Sequence, residues 1–178
     1  MGSGSPTVIF IPGYRDRGDS GWNILPPGKE GTPVFSAVGK FTRVCTYDRP
    51  GTILGKEETF ETSRSDPVPQ PITAKDAAND LHALLIAAKI EGPYIIVGHS
   101  MGGLMARLYA AMYPKGICGL VLVDSTTEDL KNRWTPEQWK IFETGNAVPK
   151  ELQGYKNLEH IDIEKSFCQM LSTSMVPV

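Results

Sequence analysis

Four short runs of apolar, β-branched and aromatic residues punctuate the chain, and each stops at a turn signal. Thr7-Val-Ile-Phe-Ile11 ends at Pro12-Gly13, Arg43-Val-Cys-Thr-Tyr47 at Asp48-Arg-Pro-Gly51, Tyr94-Ile-Ile-Val97 at Gly98, and Leu120-Val-Leu-Val123 at Asp124. Runs of this length bounded by Gly and Pro read as strands. None alternates apolar with polar residues, the pattern of a parallel sheet covered on both faces. Between the second and third runs, Ala74, Ala78, Leu81, Leu85 and Ala88 recur every three or four positions and give one apolar helix face between Ile72 and Ile90. Thr73 and Asp76 have the spacing of a capping box, with Asp in place of Glu, and Gly92-Pro93 ends the segment. A second helix is expected from Leu104 to Tyr113, stopped by Pro114, and a short one around Val34 to Val38. Residues 14–33 and 52–71, rich in Gly, Pro and polar side chains, read as loops. Strands separated by helices give an α/β fold, a mostly parallel sheet flanked by helices.

After Ser125 the pattern changes. Residues 126–170 carry charges, Trp134 and Trp139, and helix-like stretches after Thr135 and between Leu158 and Met170; an apolar strand pattern returns only at Met175-Val-Pro-Val178. The expected organisation is a core over 1–125, a cap-like helical segment over 126–172 and the start of a further core strand over 173–178. At 178 residues one core is the default. A net charge of −2 leaves no cationic excess for phosphates or an anionic membrane, so nucleic acid is not an expected partner. Apolar runs such as Val8 to Ile11 and Gly119 to Val123 are far too short to span a bilayer. The first six residues lack a basic segment followed by an apolar one, so a soluble, cytoplasmic protein is the default expectation. Cys45, Cys118 and Cys168 are odd in number and widely spaced, suggesting neither a disulfide framework nor a zinc site.

The third strand runs into Gly98-His-Ser-Met-Gly102, then Gly103 and a helix. A bare G-x-S-x-G arises by accident in about one chain of this length in twenty, given Gly at about 7% of residues, so its weight comes from its setting between strand and helix. A serine at the apex of so sharp a turn sits in strained backbone, and a side chain two residues before or after it would strike the facing arm, hence Gly98 and Gly102. Ser100 is then held clear of the sheet as a candidate nucleophile. The helix behind it aims unpaired N–H groups at the place where an oxyanion would develop, Met101 N–H first, with a second donor from the loop at Gly13 and Tyr14. The bland reading is a tight strand-to-helix turn. A phosphate cradle is set aside because neither GxGxxG nor GxxxxGK[ST] is present. Asp48-Arg49-Pro-Gly reads as ordinary turn chemistry.

Thr7 to Gly13, Tyr47 to Gly51, Gly92 to Gly103, Ala106 to Tyr109, Tyr113-Pro114 and Leu120 to Asp124 together resemble the α/β-hydrolase fold in its bacterial esterase-like branch, over roughly residues 3–125. The resemblance implies that the first and third strands lie side by side, bringing Gly13-Tyr14 and Ser100 out together at the switch point where ligands bind. It implies acyl transfer to water from a small-molecule ester, thioester, lactone or amide, with no cofactor or metal. Relatives that open epoxides or remove halides carry Asp at the apex, where this chain has Ser100.

In this family the order is Ser, acid, His, with the last two placed after strands that follow the cap. This chain ends where the first of those strands should begin, so a fragment of a longer hydrolase is the expectation. Of the three histidines, His99 reads as packing beside Ser100, His82 as surface on the long helix, and His160 is the one that follows the elbow. Asp124 ends the fourth strand where some relatives place their acid; a hydrogen-bonded strand-end carboxylate is the plainer reading. A triad of Ser100, Asp124 and His160 is conceivable on this order. Trp134 and Trp139 read equally as lining an acyl pocket or as packing. The missing strands would leave the fourth strand as an apolar edge open to self-association. The expected function is a serine hydrolase, with a non-catalytic binding protein or an inactive fragment as the alternative.

Overall fold

The computed structural model describes the chain except Pro26, residues 55–60, 63–64, Lys156 and 174–178; the further strand expected at 175–178 therefore lies outside the described residues. The strands are β1 (Thr7–Ile11), β2 (Val44–Thr46), the short pair β3 (Ile53–Leu54) and β4 (Glu61–Thr62), β5 (Tyr94–His99) and β6 (Ile117–Val123). The helices are α1 (Gly18–Trp22), α2 (Val34–Val38), α3 (Ala74–Ala87), α4 (Met101–Met112), α5 (Leu130–Arg133), α6 (Pro136–Asn146) and α7 (Ile163–Ser172), with one 3-10 turn at Lys150–Leu152. β2, β1, β5 and β6 form a parallel sheet in that order, while β3 and β4 make a separate antiparallel pair within the expected 52–71 loop. Two-residue strands carry no periodic signal in the sequence, and the five-residue α1 and four-residue α5 are likewise too short to show a helical period.

Because successive strand residues point to opposite faces, β1 builds two cores at once. Ile9 and Ile11, with Ile96 of β5, pack against Ala74, Ala77, Ala78, Leu81 and Leu85 of α3 and Leu104, Met105 and Leu108 of α4. Val8 and Phe10, with Val44 and Val97, pack against Trp22, Phe35 and Val38 of α1 and α2. Each fully buried side chain of this size contributes about 1.5–3 kcal/mol, which fixes β1 as the most constrained strand. The capping box of α3 forms as spaced: Thr73 N–H donates to the Asp76 carboxylate (2.8 Å) and Asp76 N–H to Thr73 Oγ1 (3.2 Å).

Covering of both faces holds for β1 but not for β6. Leu120, Val121, Leu122 and Val123 remain 36%, 47%, 44% and 41% exposed, and β6 is the outer strand of the described sheet. Segment 157–172 returns to the core. Ile161 bridges to Ile72 in parallel, and Ile161, Phe167 and Met170 join the cluster of Ile9 and Leu81. The buried Ser166 Oγ accepts the Ala74 N–H (2.9 Å) at the start of α3. Among the described residues no helix is long and apolar enough to cross a membrane.

Arg107 of α4 grips Glu128 beyond β6 through two hydrogen bonds, 2.5 and 2.8 Å. These bonds hold the Glu128 carboxyl below its ordinary value of 4.5. A carboxyl lowered in this way contributes stability that is present above its unfolded value and lost as pH falls through its folded one. Urea unfolding of the Glu128→Gln variant is therefore expected to cost about 1 kcal/mol at neutral pH and to show a shallower loss of stability below about pH 4.5 than the parent. Parallel curves for the two proteins would contradict the assignment.

Candidate active site

The elbow follows from the register of β1 and β5. Ile11 is paired with Gly98, so the loop after β1 and the turn after β5 leave the sheet side by side. Ser100 is half-buried and sits at the apex with φ 51° and ψ −123°, a left-handed conformation that costs a non-glycine residue on the order of 1–3 kcal/mol. The surroundings fix it from both arms: its N–H donates to the Val123 carbonyl (3.1 Å), and its carbonyl accepts from Gly103 N–H (2.9 Å) and Thr126 N–H (3.0 Å). Helix α4 starts at Met101, immediately behind the serine, rather than at the expected Leu104. The run Gly102-Gly103 looks like loop from sequence, yet it is the first turn of the helix.

The two elbow glycines are demanded for different reasons. A Cβ at Gly98 would lie 2.5 Å from the Gly102 carbonyl oxygen and 2.7 Å from Gly103 Cα, which is the facing arm of the same turn. A Cβ at Gly102 would lie 2.5 Å from the Ile11 carbonyl oxygen and closer still to that of Pro12. Its obstacle is the end of β1, not the facing arm. Gly102 thus lets the loop after β1 lie directly on the first turn of α4. A Cβ at Gly13 in that loop would fall 3.1 Å from His99 Nδ1. The N–H groups of Gly13, Tyr14 and Met101 have no acceptor among the described residues, and the last stands at the positive end of a helix.

Sequence reasoning passed over the group that holds this loop. The sequence suggests only turn chemistry for Arg49, but it is 1% exposed and its guanidinium donates to the loop from within the core. Nη1 donates to the Pro12 carbonyl (2.9 Å) and Nη2 to the Gly13 carbonyl (2.5 Å), while Nε and Nη2 donate to the Glu159 carboxylate (2.5 and 3.3 Å). Burial works against the guanidinium charge, but Glu159, with smaller help from Tyr47 and Asp16, outweighs it and Arg49 titrates above its ordinary value. Its partner lies 110 residues away, so no local pattern could have revealed the pair.

Tyr14 points the other way, over the segment that carries Glu159. Its hydroxyl donates to the Glu159 carbonyl (3.2 Å) and accepts from Arg15 Nη2 (2.9 Å), and burial raises its pKa, so the phenol stays protonated at neutral pH. Tyr14, Trp139, Glu143, His160 and Ile163 are among the walls of a cavity of about 570 Å³; Ser100 is not one of its lining residues. Trp139 thus lines this cavity and also packs against the main core, whereas Trp134 stacks edge-on with Phe142.

The histidines are placed as follows. His99 stands edge-on to Trp22 (6.2 Å between centroids) beside Gly13, a packing position. His82 is not a free surface residue: it stacks on Tyr113 (3.7 Å) and its Nδ1 lies 3.3 Å from the Tyr109 hydroxyl, between α3 and α4. His160 is exposed; its backbone N–H donates to Gln70 Oε1 (2.9 Å) and its carbonyl accepts from Ile72 N–H (2.9 Å). Asp124 is exposed at φ 43°, and its carboxylate has no hydrogen-bond partner among the described residues, unlike the bonded strand-end carboxylate expected. No hydrogen bond joins Ser100, Asp124 and His160 in the described residues. The structure brings Ser100, Met101, Gly98, Gly102, Gly13 and Tyr14 into one region and does not link Asp124 or His160 to it by any bond.

A family model described as "Alpha/beta hydrolase family" matches residues 8–163. This chain belongs to the alpha/beta hydrolase family. It is 32% identical over 149 residues to "Probable transporter efuK" of Hormonema carpetanum, covering 81% of this chain and 20% of that protein. It is 34% identical over 98 residues to "Putative carbamate hydrolase RutD" of Yersinia enterocolitica, covering 55% of this chain and 32% of that one. A solved structure described as "Est816 as an N-Acyl homoserine lactone degrading enzyme" superposes with TM-score 0.58 at 18% identity, over 99% of this chain and 61% of its own; at that identity the likeness is one of fold. The chain spans between a fifth and about three fifths of the length of these relatives.

Proposed function

We propose that this alpha/beta hydrolase is a serine hydrolase in which Ser100 attacks an ester or related acyl bond of a small-molecule substrate. The observation that carries the reading is the Ser100 backbone at φ 51°, ψ −123°, kept there by a turn in which neither Gly98 nor Gly102 has room for a Cβ. Such strain is retained where it presents a side chain for chemistry. Ser100 Oγ adds to the acyl carbon, the carbonyl oxygen takes the negative charge, and the N–H groups of Met101 and of Tyr14 or Gly13 stabilise that oxyanion. Collapse of the intermediate expels the leaving group and leaves an acyl-enzyme, which water cleaves to return the free serine. The hydroxyl proton must pass to a base and from it to the leaving group, and in deacylation a water proton returns by the same route to the serine; no histidine is hydrogen-bonded to Ser100 among the described residues.

A fluorophosphonate probe tests it, because its phosphorus is attacked by an activated serine and its oxygen occupies the oxyanion position. Mass spectrometry is expected to find the adduct on Ser100 and to lose it completely in Ser100→Ala. A folded protein that takes up no probe would overturn the nucleophile reading. The unlinked Asp124 and His160 would then favour the second reading, a protein that keeps the hydrolase pocket to bind a ligand.

A further inference from the structure

The Arg49–Glu159 pair sits wholly inside the protein, at 1% and 0% side-chain exposure. Burying two ions costs more than an isolated pair returns unless further hydrogen bonds satisfy them, so what they bind shows what they do. Arg49 gives its remaining donors to two consecutive backbone carbonyls, those of Pro12 and Gly13. Glu159 gives its second oxygen to the Arg15 backbone N–H at 2.6 Å. The strand-end loop is thus gripped at positions 12, 13 and 15 by one ion pair. Glu159 is itself pinned: its N–H donates to the Gly51 carbonyl (2.9 Å), and its carbonyl accepts from Arg15 Nε (3.1 Å) and the Tyr14 hydroxyl.

A trans peptide points its C=O and N–H in opposite directions. Pinning the Pro12 and Gly13 carbonyls onto Arg49 therefore turns the Gly13 and Tyr14 N–H groups to the side away from it. We propose that Arg49, held charged and aimed by Glu159, is the positioning residue that orients the loop N–H donors of the oxyanion site. It also makes that site depend on segment 157–161, which supplies Glu159. The inference rests on the serine-hydrolase reading for its catalytic consequence, but the orientation it asserts is a property of the loop alone. Lysine could not substitute, since a single ammonium cannot reach two carbonyls and a carboxylate in a fixed fork.

Removing one partner alone would strand a buried charge, so the deciding variant replaces both, Arg49→Met with Glu159→Leu, where apolar groups of similar volume often restore stability. Two measurements are made on it and on Arg49→Lys in the full chain. Residual dipolar couplings of the Gly13 and Tyr14 N–H vectors are expected to change while those of residues 8–11 do not. The maximal fluorophosphonate labelling rate is expected to fall about 10²-fold, as for loss of an oxyanion donor, with reversible probe binding unchanged. Unchanged vectors in the folded double variant overturn the inference whether or not the parent is labelled. Altered vectors with a parental labelling rate overturn its catalytic part. An unlabelled parent defeats the nucleophile reading instead, while the vectors still decide the positioning claim.

Discussion

Gly102→Ala is expected to cost about 3 kcal/mol or more and to abolish probe labelling of Ser100 in the fraction that folds. The added Cβ has no flexible neighbour to displace, because it would meet the Ile11 carbonyl oxygen at 2.5 Å and that of Pro12 closer still, both backbone. Relief requires α4 and the end of β1 to part, which separates Met101 from Gly13 and Tyr14. Gly98→Ala is expected to do comparable damage by opening the turn itself, against the Gly102 carbonyl. Gly145→Ala supplies the contrast. It lies in α6 with nothing within 4 Å of its added Cβ, and alanine there is expected to stabilise by about 0.5 kcal/mol through helix propensity. Urea midpoints of the three variants, with labelling measured in the same samples, check the set. A folded, labelled Gly102→Ala protein would mean that the loop does not lie on the helix.

The elbow was legible in the sequence because its parts are adjacent: strand pattern, two glycines at fixed spacing, and helix follow one another within a dozen residues. The side-by-side placement of β1 and β5 was also expected, through resemblance to the family, and the register of Ile11 with Gly98 bears it out. What escaped was non-local. Arg49 looked like any arginine before Pro-Gly, since nothing near it shows that Glu159 will stand 2.5 Å away. His82 looked like an exposed helix residue because Tyr113, on which it stacks, lies 31 residues further on, just past the end of α4. The start of α4 was misplaced by propensity. Glycine argues against helix on average, and here tertiary crowding at Gly102 outweighed that preference. Asp124 and His160 could be proposed only from their order along the chain, and order carries no distance.

The second large effect concerns the layer that supports β1 from behind. Phe10→Ala is expected to lower stability by about 3–5 kcal/mol, a large share of the roughly 5–15 kcal/mol that holds a domain folded. Phe10 is 2% exposed, and its ring packs 4.9 Å from Trp22 and 5.6 Å from Phe35 between centroids, so truncation empties the centre of the smaller core. The damage is expected to reach the site through contacts already described. Trp22 stands against His99, and His99 against Gly13, so loss of Phe10 loosens the wall behind the loop donors. Labelling of Ser100 should therefore slow more than the unfolded fraction explains. Phe10→Leu, which keeps most of the volume, should cost under about 1.5 kcal/mol and label nearly as the parent does. Val121→Thr on the exposed β6, 47% accessible, should stay within about 0.5 kcal/mol. Denaturant midpoints order the three; a Phe10→Ala variant as mild as Val121→Thr would show that α1 and α2 do not pack on the sheet.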